Sequence, residues 1–231
     1  MVQEQSSDRL LRGALEQSFL AAVPPAVLQH LTADALRLDI PAGGTIYREG
    51  EPPRLALVAR GLLRVYLTSI EGRQVTIRYA RAGSVLGAPI AVAGPVNTSV
   101  QALTDATLFV LNLRAAQSLG QTDARFAWLL AEEVAHRLFE VLEAFAGSVF
   151  GSVRQRVARH LLDLAAEHQH GSTLVAPINQ QKLADAAGTV REVVARVLRE
   201  LRDERLIDTT RHGIAILDPA GLHRQADLPR E

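Results

Sequence analysis

From about Thr122 to Phe150 the sequence runs without a proline, and its small and apolar residues recur at alternating steps of four and three. Ala127, Ala131, Val134, Leu138, Val141 and Phe145 carry this spacing, with Ser148 next in the series. It is the a/d seam of a two-helix coiled coil, in which each helix hides its stripe against another. The alternative is a helix lying on its own β domain. A helix of this length between two segments of different texture is better explained by pairing with its twin, so a homodimer is expected. Gly147, Gly151 and Ser152 would then form a hinge behind it.

Ahead of this helix, Asp8 to about Leu36 reads helical, with a break at Pro24-Pro25. From Leu38 to Leu111 short β-rich pieces (LALVA, LLRVYLT, QVTIRYA, ATLFVLNL) are punctuated by Gly43, Gly44, Gly50, Gly61, Gly72, Gly83, Gly87 and Gly94. Short strands between glycine turns predict an antiparallel sandwich or barrel. Alternation places Leu63, Val65 and Leu67 on one face and Leu62, Arg64 and Tyr66 on the other, and EGR at 71–73 suits a hairpin turn. Behind the long helix, SVRQRVARHLLDLAAEH is amphipathic, with Val153, Val157, Leu161 and Leu164 inward. LIDTT and IAIL form two strands around a turn at Arg211–Gly213.

Between these lies a helix-turn-helix pattern over 179–202. Asn179 can cap a short helix whose Leu183, Ala184 and Ala187 face inward, and Gly188 supplies the left-handed residue of a tight exit. Thr189 with Glu192 three residues on predicts a capping box for the second helix. On that helix Val190, Val193, Val194, Val197, Leu198 and Leu201 make the buried side and leave Arg191, Glu192, Ala195, Arg196 and Arg199 outward. Arginine pairs in bidentate fashion with guanine O6 and N7, glutamate accepts from cytosine N4, and a small residue lets the backbone come close. Lys182, Arg199, Arg202, Arg205 and Arg211 are candidates for phosphate contacts. The competing explanation is a solvated charged helix with pairs such as Arg196 with Glu200.

The run QQKLADAAGTVREVVARVLRELRDERLIDTTRHGIAILDPAGL resembles the C-terminal signature of the cyclic-AMP receptor protein/FNR family of bacterial transcription regulators. The similarity extends upstream through the long helix and the glycine-punctuated strands. It implies an α+β architecture: an N-terminal cyclic-nucleotide-binding-like β-roll over 1–121, a dimerisation helix over 122–150 and a C-terminal winged helix-turn-helix over 151–231. In the receptor-protein branch the recognition helix carries Arg-Glu, then three residues, then Arg, which fall here on Arg191, Glu192 and Arg196. By resemblance these read the bases of a palindromic TGTGA-like site, with Lys182, Thr189, Arg199 and Arg211 on the DNA backbone. The FNR branch lacks the first arginine. Double-stranded DNA is the implied partner, with RNA polymerase as a further one.

The chain departs from the family where a cyclic nucleotide would sit. There the family has glycine-glutamate, then an arginine-serine pair further on. Here Gly87 remains, Ala88 stands at the glutamate position, and the arginine slot falls within Val96–Thr98, ahead of Ser99. The polar pair that meets the adenine becomes Val141 and Leu142. A phosphate buried without a guanidinium would be badly desolvated. The pocket therefore reads as degenerate, with an effector other than cyclic AMP or none; Arg64, Arg78 and Tyr79 are candidate polar groups for an anion.

The absence of cysteine excludes disulfides, thiolate zinc sites, Cys-held iron–sulfur clusters and Cys nucleophiles. None of the histidines lies in the β-rich segment, and His168 with His170 beside Gly171 resembles a metal pair only superficially, so no metal or cofactor is expected. No phosphate loop, HExxH or GxSxG occurs, which argues against an enzyme. The zero net charge hints at no nucleic acid, so any basic face must be local. No apolar run reaches the roughly 20 residues of a membrane span, and no signal-peptide core follows the polar N-terminus, so no membrane association is expected and the cytoplasm is the expected location. The rival reading is a ligand-binding or protein-interaction module without DNA function, which would have no reason to expose Arg191, Glu192 and Arg196 together.

Overall fold

The computed structural model describes residues 2–226 apart from 53, 73, 95–96, 167–168 and 171–172. Val96 of the arginine slot, Arg73 of the hairpin turn, and His168 and Gly171 lie outside the described residues. The chain divides by packing into two compact units, residues 1–65 with 80–140, and residues 66–79 with 141–231.

The first unit opens with α1 (Val2–Glu16), a 3-10 turn at Phe19–Ala22 and α2 (Pro25–Thr32), where proline occupies the first helical position. Eight strands follow in the chain, of which the end of β4 and nearly all of β5 group with the second unit: β1 (Leu36–Ile40), β2 (Thr45–Tyr47), β3 (Ala56–Arg60), β4 (Leu63–Thr68), β5 (Gln74–Ala80), β6 (Val85–Leu86), β7 (Ser99–Ala102) and β8 (Ala106–Val110). The short α3 (Ala88–Ala93) interrupts them. They form two four-stranded sheets, ordered β1-β8-β3-β6 and β2-β7-β4-β5. The interior is lined by Val58, Leu63, Val65, Val100 and Leu108. Leu67, predicted to share the face of Leu63 and Val65, is instead exposed, while Arg64 and Tyr66 are buried with those two. A strand covered on both faces loses the simple in–out alternation, and Leu67 falls beyond the covered stretch.

After α4 (Leu113–Thr122), Asp123 Oδ1 accepts from the Phe126 N–H at 2.9 Å and starts α5 (Ala124–Phe150). One helix was expected from 122; a carboxylate cap begins it at 124. Phe126 and Leu130 enter the first unit's core with Leu57, Phe109 and Ala116. Along the predicted seam Ala131, Leu138, Val141 and Phe145 are exposed, while Ala127 and Val134 are half-buried. Trp128, Phe139, Leu142, Val149 and Phe150 are exposed as well. The helix continues through Gly147, so the break comes not there but at Gly151, and Ser152 caps α6 (Val153–Ala165) with a capping box to Gln155.

In the second unit α6 packs on the sheet β11-β12-β10-β9 and on the later helices. The strands are β9 (Gln169–His170), β10 (Thr173–Ala176), β11 (Ile207–Thr210) and β12 (Gly213–Ile216). The predicted two-stranded hairpin is thus half of a four-stranded sheet, because Leu174, Val175 and Ala176 pair with Ile216, Ala215 and Ile214. The remaining helices are α7 (Gln180–Ala186), α8 (Arg191–Asp203) and α9 (Pro219–Ala226).

Candidate nucleic-acid interface

Asn179 Oδ1 accepts from the Lys182 N–H at 2.9 Å and starts α7 as predicted. At the other end Gly188 takes φ +62°, its N–H reaches the Asp185 carbonyl at 3.3 Å, and the Thr189 N–H reaches the Ala184 carbonyl at 3.0 Å. These two bonds are the Schellman closure of a helix. They also correct the expected capping box. Thr189 is spent ending α7, so Val190 becomes the N-cap of α8, without any side-chain cap, and Glu192 falls one position short of the box. Val190, expected on the buried side, is 58% exposed.

From there the helix behaves as its pattern requires. Val194, Val197, Leu198 and Leu201 are buried, which fixes the rotation of α8 about its axis. Arg191, Glu192, Arg196 and Arg199 are exposed, with Ala195 half-buried among them. None of the four charged side chains is held by a hydrogen bond or ion pair among the described residues, so Arg196 does not pair with Glu200. Glu200 and Glu204 instead take Arg154 of α6, at 3.2 and 2.6 Å, and Arg154 Nε donates to Gln225 Oε1 at 2.9 Å. Lys182 and Thr189 are half-buried, and Arg211 is exposed in the β11–β12 turn, its Nε donating to His212 Nε2 at 2.8 Å.

Two side chains of α6, one helical turn apart, hold the end of α7. Arg156 donates from Nε to the Ala187 carbonyl and from Nη1 to the Gly151 carbonyl, both at 2.8 Å. His160 bonds the Ala186 carbonyl, and its Nδ1 lies 3.0 Å from the Tyr79 hydroxyl. Desolvation pushes the imidazole pKa down to about 4 against that carbonyl bond, with Arg159 and Arg156 adding to the depression. Neither residue stood out in the sequence. Their spacing of four, with the basic side chains of a helix start, was the available signal.

Among the positions of the expected effector pocket, Gly87 has φ +77° and caps α3, and a Cβ there would strike the Arg54 carbonyl. Ala88 is buried in the first unit's core, and Thr98 is half-buried. Ser99 is buried, its hydroxyl accepting from the Glu49 N–H at 3.0 Å. Val141 and Leu142 are exposed on α5. Arg64 is buried and donates from Nε to Gln101 Oε1 at 3.0 Å.

A short capped helix, a Schellman turn, a second helix with an outward charged row and a β11–β12 wing define a winged helix-turn-helix, joined in one chain to a β-roll. The cyclic nucleotide-binding domain family matches residues 37–123, and the Crp-like helix-turn-helix domain family matches residues 155–225. The transcriptional regulator LdrP of Thermus thermophilus is 31% identical over 188 residues, which span 79% of this chain and 92% of that one. A CRP-like cAMP-activated global transcriptional regulator of Mycobacterium tuberculosis is 26% identical, over 88% of this chain and 94% of its own. The crystal structure of a CRP/FNR-family transcriptional regulator from Thermus thermophilus superposes with TM-score 0.71 at 26% identity, over 84% of this chain and all of that one. The chain belongs to the CRP/FNR family of DNA-binding transcription regulators.

Proposed function

We propose that this regulator acts as a homodimer that reads a palindromic TGTGA-like site without cyclic AMP. One observation carries the DNA reading: Arg191, Glu192 and Arg196 point to solvent from a helix whose opposite side is locked in the core. Two arginines for guanine and a glutamate for cytosine suit the GC pairs of such a half-site. Thr189, Lys182, Arg199 and Arg211 flank them and serve the phosphates. The exposed apolar stripe of α5, with Leu138 56% and Phe145 65% exposed, supports pairing of two copies. The working division is then an effector domain over 1–121, a dimerisation helix over 122–150 and a DNA-binding domain over 151–231.

The effector domain departs in chemistry from the nucleotide-binding cassette that the family resemblance implies. Ala88 is a buried methyl group where a nucleotide-binding family member offers a carboxylate to the ribose, and Thr98 offers no charge to a cyclic phosphate. Val141 and Leu142 bring no hydroxyl to a base. An unpaired buried phosphate is strongly disfavoured.

The test is a fluorescence anisotropy titration of the purified chain at one fixed salt concentration. The duplexes are a TGTGA-type palindrome and a scrambled sequence, each with and without cyclic AMP. Tight binding to the palindrome alone, unchanged by the nucleotide, is the expected result. Binding that requires cyclic AMP overturns the effector reading, and equal binding to both duplexes overturns the half-site.

A further inference from the structure

The hairpin arm 66–79 groups with residues 141–231 in the second unit. The arm's last residue, Tyr79, meets His160 of α6 edge-on, with ring centroids 5.8 Å apart and planes at 89°. The Tyr79 hydroxyl lies 3.0 Å from Nδ1. The Ala186 carbonyl can only accept, so the imidazole supplies the proton of that bond while the Tyr79 hydroxyl meets Nδ1. A ring engaged from two sides is held in one orientation. It thereby ties β5 to the carbonyl one residue before the α7 cap, beside the Ala187 carbonyl that Arg156 holds.

We propose that Tyr79 and His160 form a latch that positions the turn between α7 and α8 for DNA. The latch rests on the family's DNA binding and adds positioning residues to it. β4 and β5 are continuous with the roll, so a displacement of their arm moves Tyr79, and the ring it bonds moves with the Ala186 carbonyl. Ala187, Gly188 and Thr189 follow that carbonyl in turn, and α8 begins at the next residue but one. Holding the turn in advance lowers the ordering cost that binding would otherwise meet. Neither residue touches the bases.

The test uses the full-length chain with Tyr79→Phe, which keeps the ring edge and loses only the hydroxyl. His160→Gln serves as a second variant that retains a donor for Ala186. Against the TGTGA-type palindrome, Tyr79→Phe is expected to bind roughly three- to tenfold more weakly, with its thermal midpoint within a few degrees of the parent. His160 is also read directly by imidazole 15N shifts: the parent shows one dominant tautomer and the variant a mixture. Unchanged or tighter DNA binding by Tyr79→Phe overturns the latch. A parent chain that binds no duplex overturns the DNA reading instead. The latch is then decided by hydrogen exchange at the Gly188 and Thr189 amides, which quickens in Tyr79→Phe if His160 holds the turn and stays unchanged if it does not.

Discussion

Arg154 at the start of α6 reaches Glu204 just past the end of α8 at 2.6 Å, tying the opening of the DNA-binding region to the far end of its reading helix. The same guanidinium takes Glu200 and Gln225, so one side chain gathers α6, α8 and α9. With its side chain 23% exposed it is better shielded than a surface pair. Arg154→Met is expected to cost about 1–2 kcal/mol in stability, checked by urea unfolding. A loss that vanishes in high salt would reduce the cluster to a screened surface interaction.

His160 gives the folded chain a dependence on mild acid. Its pKa falls from 6.5 to about 4 on folding, so between those values the unfolded chain holds a proton that the folded one refuses. Its contribution is complete above about pH 6.5, declines as pH falls, and levels off below about 4. The groups around the ring are the Tyr79 hydroxyl and the Arg156 and Arg159 guanidiniums. A shift of that size corresponds to about 3 kcal/mol, and solvent screening of a half-buried ring brings the decline to about 2 kcal/mol. Asp39, held below the usual carboxylate range by hydrogen bonds from Arg37 and Thr107, titrates under the window. Stability measured by urea midpoint across pH should therefore slope in the parent and flatten in His160→Gln; equal slopes would assign the effect elsewhere.

Arg191→Ala is expected to cost about 1–3 kcal/mol on the specific palindrome and much less on scrambled DNA, as a base contact should. Lys182→Ala should weaken both alike and reduce the salt slope by about one. Equal losses for Arg191→Ala on the two duplexes would make it a phosphate contact.

Arg205 is the only non-glycine residue with positive φ, at 59°, among the described residues, and it closes α8 where glycine is usual. The conformation costs a side chain about 1 kcal/mol. Arg205→Gly is expected to raise the thermal midpoint by a few degrees while weakening DNA binding without regard to sequence. A variant that is stabilised with unaltered DNA affinity would deny Arg205 any phosphate role.

Val141→Asp, or Leu138→Asp on the more exposed part of the stripe, should split the proposed dimer, as measured by sedimentation equilibrium. A Leu138→Asp chain that stays dimeric refutes pairing through α5.

Periodicity made the interior of α8 and the course of α5 legible, because burying Val194, Val197, Leu198 and Leu201 leaves little choice of rotation. What escaped was decided by single backbone bonds. Thr189 looks like a cap in sequence, but its N–H is claimed by Ala184, and no pattern of letters records that competition. β10 was missed because its partner β12 lies far along the chain. Arg156 and His160 read as ordinary polar positions of an amphipathic helix, and only the packing of α7 against α6 turns them toward two carbonyls.

The Schellman turn also makes the connection between α7 and α8 a matter of count. Each residue advances a helix by about 100°. One residue inserted between Val190 and Val194, with the core seated as before, would swing Arg191 out of line with Arg196 by that angle. One deleted there would swing it the other way. Substitutions at Thr189 or Val190, which are respectively half-buried and exposed, disturb far less. A lineage of such regulators can therefore vary Val190 while the loop's length and its left-handed Gly188 stay frozen, and its gaps should collect in the wing turn instead.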